Sequence, residues 1–181
     1  MTPPTHTLPA EVTAALARAG LLEAGEVPWA EPLTGGVSSD IWRVDLAQGA
    51  VCVKRALTQL RVAARWEAPI ARNAFEVAWI EVAGAVNPAA VPRLRGHDAA
   101  AQLFIMDFLD PARHRLWKNE LREGRADPTT AAAVGARLVQ IHAATAGRPE
   151  IALRFPTDTI FHAIRLAPYL ETTAQRHPDA A

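Results

Sequence analysis

The stretch at residues 33–57, "LTGGVSSDIWRVDLAQGAVCVKRAL", decides the fold. A glycine pair, Gly35 and Gly36, and the turn "AQGA" separate runs in which apolar residues alternate, the pattern of short antiparallel strands joined by tight turns. Three strands are expected, at about 29–33, 39–46 and 50–57. Within "VCVK" the side chains alternate, so Cys52 and Lys54 share one face while Val51 and Val53 share the other. A lysine closing an apolar strand is either a solvated edge charge or a group held for an anion such as phosphate.

Downstream, residues 61–86 are rich in Ala, Glu, Arg and Trp and carry Ile70, Ala74, Ala78 and Val82 at a spacing of four, which predicts a helix with an apolar stripe. After "NPAAVPR", residues 91–96 and 102–109 read as two more strands joined by a turn around "GHDAA". Upstream, "LPAEVTAALARAGLL" predicts a short amphipathic helix with Glu11 in its first turn. Beyond Asp110 the strand signals vanish. "PARHRLWKNELREG", "DPTTAAAVGARLVQIHAATAG" and "PTDTIFHAIRLAPYLETTAQRH" read as helices, with Asp127 and Pro128 as a start and Gly147 as a stop. The expected fold class is α+β, with residues 1–109 as a mixed lobe and 110–181 as a helical one.

The composition narrows the function. Lysine plus arginine number 19 and aspartate plus glutamate 19, so no net basic charge serves nucleic acid or an anionic membrane. No apolar run approaches the roughly 18 residues of a membrane span, and the single cysteine, Cys52, forms no internal disulfide. With no signal-peptide pattern at "MTPPTHTLPA", the expected location is the cytoplasm.

Alone, "GGVSSD" is an ordinary hairpin turn. Its functional reading is a backbone brought close to phosphate by Gly35 and Gly36, with N–H groups and the Ser38 and Ser39 hydroxyls aimed at the oxygens. An ammonium beside a nucleotide needs a carboxylate to hold it, and the next helix offers Glu67, Glu76 and Glu81. Glu67 reads as exposed and Glu76 is preferred, although helical phase leaves Glu81 open. "LFIMDFLD" reads as a central strand whose end, residues 107–109, presents backbone groups to a base that Cys52 covers.

In this order, "GGVSSDIW", "VCVK", the helix with Glu76, "AVPRLRGHD", "LFIMDFLDP" and "VGARLVQIHAATAG" resemble the aminoglycoside phosphotransferase and choline kinase-like group of small-molecule kinases. The resemblance implies a protein-kinase-like N-lobe, a five-stranded antiparallel sheet plus one main helix, followed by the first helices of an incomplete helical C-lobe. It implies that Lys54 contacts the α and β phosphates and pairs with Glu76. Gly35, Gly36, Val37, Ser38 and Ser39 would form the lid. Met106 would lie behind the adenine, the Asp107 carbonyl would accept from its amino group, and the Leu109 N–H would donate to its ring. The implied donor is ATP, sometimes GTP, with Mg in the intact parent, and the acceptor is a small hydroxyl compound.

The group's H-G-D-x-x-x-x-N loop and second metal-binding aspartate do not occur in the 181 residues. His97-Asp98 is followed by "AAAQ", and His142 by "AATAG". The resulting expectation is the N-terminal part of a small-molecule phosphotransferase, with a missing C-terminal lobe as partner, weak nucleotide binding at best and no turnover. The alternatives are a non-catalytic nucleotide- or protein-binding module and a plain α+β domain. Apolar surface is expected to stay uncovered on the helices after Asp110.

Overall fold

The structure, a computed structural model, describes residues 7–34, 36–63 and 65–180. Five strands, β1 (Trp29–Pro32), β2 (Ser39–Leu46), β3 (Gly49–Ala56), β4 (Leu94–Asp98) and β5 (Leu103–Asp107), form one antiparallel sheet in the order β1-β2-β3-β5-β4. The two-residue loop between β2 and β3 closes on Gly49, whose φ of +111° suits glycine. Because β5 inserts between β3 and β4, the strand that carries Lys54 is central, paired on both sides.

Two helices cover the sheet, one on each face. Helix α1 (Ala10–Arg18) sets Val12, Ala15 and Leu16 against Val44, Leu46, Val51, Val53, Leu103 and Ile105. Helix α2 (Arg72–Val86) sets Val77 and Ile80 against Phe104, with Leu94 and Met106 alongside. Strand alternation thus sends Val51 and Val53 to one core and leaves Cys52 and Lys54 on the α2 face.

Helix α2 begins eleven residues later than the composition suggests. Residues 57–63 and 65–71 are not helical: Gln59 bridges Glu67, the Leu60 N–H donates to Trp66 and the Ala68 N–H to Thr58. Pro69 disfavours helical geometry at Ala68, and these tertiary hydrogen bonds outweigh helix propensity. Of the expected apolar stripe, Val82 is buried, but the rest of the buried face is shifted from it. Ile70 precedes the helix and Ala74 is exposed, whereas Asn73, Val77, Ile80 and Ala83 are buried.

After β5 the chain is helical, with α3 (Trp117–Arg122), α4 (Pro128–Thr145), α5 (Pro149–Ala152), α6 (Asp158–Phe161), a π-helical stretch (His162–Glu171) and α7 (Thr172–Arg176). Asp127 caps α4 by accepting from the Thr129 N–H at 2.8 Å, as its position before Pro128 predicts. The first expected helix shrinks to six residues, because Asp110 organises a turn through the Arg113 and His114 N–H groups. Pro168 lies inside the π stretch, where its missing N–H removes a regular α bond. No helix among the described residues is long and apolar enough to cross a membrane.

Candidate functional site

Lys54 sits on β3 opposite Ile41 of β2 and Phe104 of β5. Cys52, two residues back on the same face, lies opposite Arg43 and Met106. The face therefore carries two cross-strand rows, Ile41–Lys54–Phe104 and Arg43–Cys52–Met106. The Lys54 ammonium hydrogen-bonds the Glu76 carboxylate. Its side chain is 22% exposed against 40% for Glu76, so the pair is reachable from solvent and its attraction is partly screened.

Glu76 reaches Lys54 because α2 buries Asn73, Val77 and Ile80, and residue 76 lies on the flank of that stripe, one turn from the helix start. Glu81 is five residues, about 7.5 Å, further along the axis. It accepts from Arg154 at 2.7 Å instead. Glu67 pairs with exposed Arg65 in the loop before α2. Of the three glutamates considered from sequence, Glu76 is the one brought to the lysine.

Cys52 is buried, and burial pushes its thiol up to about 11, offset in part by the Lys54 charge and reinforced by that of Glu76. It acts as a small apolar surface rather than a nucleophile.

Gly35 lies outside the described residues. Gly36 has an ordinary φ, and a Cβ there would meet Ile41 Cδ1 at 3.4 Å, so a side chain would extend toward the lysine face. Val37 is about half exposed, and its carbonyl accepts from the Arg61 N–H. The Ser38 carbonyl accepts from the Leu57 N–H at 3.1 Å. Ser39 opens β2 and is buried, leaving Ser38 as the serine with solvent access.

At the end of β5, the Phe108 N–H donates to Ala50 at 3.2 Å and the Asp107 N–H to Arg93 at 2.9 Å. Among the described residues the Leu109 N–H has no backbone acceptor, and no N–H outside the strands reaches the Asp107 carbonyl. The Asp107 carboxylate is turned to Arg95 at 3.3 Å. Asp98, in the "GHD" turn, accepts from the Ala101 N–H and Arg18, which hold its carboxyl below the usual range. Its role there is to close the β4–β5 turn and tie it to α1.

Two neighbours of the site escaped the sequence reading. Arg43 packs its guanidinium against the rings of Trp29 (5.3 Å) and Phe108 (4.9 Å) and is held by Asp45. The period-2 count that places Cys52 and Lys54 would also have placed it. Arg72, in the first turn of α2, donates to backbone carbonyls and leaves no side-chain pattern to find.

The arrangement offers an ammonium held by a carboxylate, an adjoining glycine hairpin, an apolar surface at Cys52 and Met106, and unspent backbone groups at 107–109. These groups offer a positive charge for an anion and a hydrogen-bonding edge beside an apolar surface. Among the described residues no three His, Cys, Asp or Glu side chains gather as a metal-binding group, so no Mg ligand is assigned.

No family model matches the sequence, and no curated protein matches it. Among solved structures, the chain is similar to the crystal structure of a protein described as "putative fructosamine-3-kinase" from Thermobifida fusca YX-ER1. Identity is 23% and the TM-score 0.36, over 54% of this chain and 32% of that one. The chain thus spans about a third of that protein's length.

Proposed function

We propose that this chain is the nucleotide-binding lobe of an ATP-dependent phosphotransferase whose acceptor is a small hydroxyl compound. The observation that carries the reading is Lys54 on a central strand, paired with Glu76 of α2 and sharing its face with Cys52 and Met106. Lys54 presents its charge to the α and β phosphates while Glu76 keeps the ammonium in place. The segment at 36–39 covers the phosphates with backbone N–H groups. Met106 and Cys52 line the base, and the Asp107 carbonyl and Leu109 N–H pair with its edge. ATP is the expected donor and GTP the alternative.

Phosphoryl transfer also needs a group that orients the acceptor hydroxyl and ligands for Mg. The 181 residues hold no H-G-D-x-x-x-x-N segment to supply them. Their share of the reaction is to hold and neutralise the nucleotide, and they bind it without turning it over.

Amide chemical shifts of the chain during titration with Mg-ATP test the reading. Shifts concentrated at 36–39, 52–54 and 108–109 are expected. Saturating Mg-ATP that moves none of these, or moves amides scattered over α4 to α7, rejects it.

A further inference from the structure

An arginine in the first turn of a helix sits at the positive end of the helix dipole, where anions are favoured, and α2 has no acidic residue in that turn. Arg72 nevertheless occupies it, half-buried. Its Nη1 donates to the Ala68 and Pro69 carbonyls at 3.0 and 2.9 Å. Its Nη2 donates to the Ser38 carbonyl at 2.5 Å and the Leu57 carbonyl at 2.6 Å. One guanidinium therefore joins the glycine hairpin, the end of the lysine strand and the entry to α2. Glu76 lies one turn on, at the i+4 position of the same helix face.

We infer that Arg72 is a positioning residue that couples the glycine hairpin to α2, so that the hairpin and the Glu76 carboxylate that holds Lys54 keep one fixed relation. The guanidinium suits this because its planar fork spans carbonyls in several directions, which the point charge of a lysine does not. Without it, the Ala68 and Leu57 carbonyls lose their donor in a partly desolvated site, while the Ser38 and Pro69 carbonyls keep only the Leu57 and Arg72 backbone N–H groups. Arg61 reinforces the hairpin by a separate route, through its N–H to Val37 and its side chain to Asp40. Arg61 comes from the loop, however, and makes no link to α2. Burial holds the Arg72 basicity below its ordinary level, against the attraction of Glu76.

The importance of this coupling for binding rests on the nucleotide reading, but the coupling itself is measurable without nucleotide. Hydrogen exchange on the full chain is compared for wild type, Arg72→Met and Arg72→Lys. In both variants the Leu57 amide and the amides of the first turns of α2 are expected to exchange at least tenfold faster together, while Val44 and Val51 keep their rates. Mg-ATP affinity, measured well below the melting temperature, falls at least tenfold in parallel. An arginine that merely stabilises the fold would lower the melting temperature and leave that affinity unchanged. Faster exchange in only one of the two segments, or full recovery by lysine, overturns the inference. Coupled exchange in a wild type that does not bind Mg-ATP rejects the nucleotide reading and leaves the coupling standing.

Discussion

The ammonium of Lys54 stands 6.0 Å from the centroid of the Phe104 ring, its partner across the β3–β5 pair. Phe104 is fully buried between the sheet and α2, touching Val77 and Ile80. It forms an apolar floor under the lysine while Glu76 holds the charge from the side. Phe104→Ala is expected to lower unfolding free energy by about 3–5 kcal/mol, as for other buried aromatics. Phe104→Leu, measured by urea denaturation alongside it, should lose clearly less, because leucine refills most of the space.

Cys52 gives a pH signature. Its thiol titrates near 9.0 when unshifted and about 11 in the folded chain, so between these values the unfolded state has lost a proton that the folded state keeps. Stability is full below pH 9 and falls as pH rises to 11, by about 2–3 kcal/mol at most. Cys52→Ala should flatten that part of the stability curve relative to wild type. At pH 8 the native thiol should resist iodoacetamide and react promptly once unfolded; rapid alkylation of the folded chain would contradict its burial.

Gly36 separates room for a ligand from needs of the fold. In Gly36→Ala the new Cβ meets Ile41 Cδ1 and the Ser39 carbonyl at ordinary contact distance, so stability should change by less than about 0.5 kcal/mol. Gly36→Leu carries its side chain further across the lysine face and should weaken Mg-ATP binding severalfold at similar stability. Equal binding by the two variants would show that the hairpin does not approach the nucleotide.

The helical part leaves much of its apolar surface open. Val139 is 66% exposed, Leu153 82% and Leu170 63%, and α4 buries only Ile141. The chain should bind a hydrophobic dye and associate as its concentration rises. Val139→Lys with Leu153→Lys should reduce both without altering Mg-ATP binding, as followed by light scattering.

The sheet was legible from the alternation in the middle of β2 and β3. Trp42, Val44 and Leu46 of β2 and Val51 and Val53 of β3 pack in the α1 core at every second position, so the face of Lys54 followed from counting. The start of α2 was not legible. Ala, Glu and Arg before Arg72 favour helix, but Pro69, hydrogen bonds within the segment and contacts with distant residues, such as the Arg61 N–H to Val37, keep it out of one. Choosing Glu76 over Glu81 likewise depended on position along the helix axis and on Arg154, far away in sequence. Arg72 was hidden because carbonyl partners occur at every residue.

The most direct test is isothermal calorimetry of Mg-ATP with the 181-residue chain and its Lys54→Met variant. Because the pair is partly exposed, the variant should unfold within about 1 kcal/mol of wild type. Loss of a charge-assisted contact to phosphate should cost roughly 1.5–3 kcal/mol of binding, a tenfold or greater fall in affinity. Weak binding by wild type that is lost in an equally stable Lys54→Met is the expected result. Equal binding by the two chains, or none by a folded wild type, would contradict a phosphate site at Lys54.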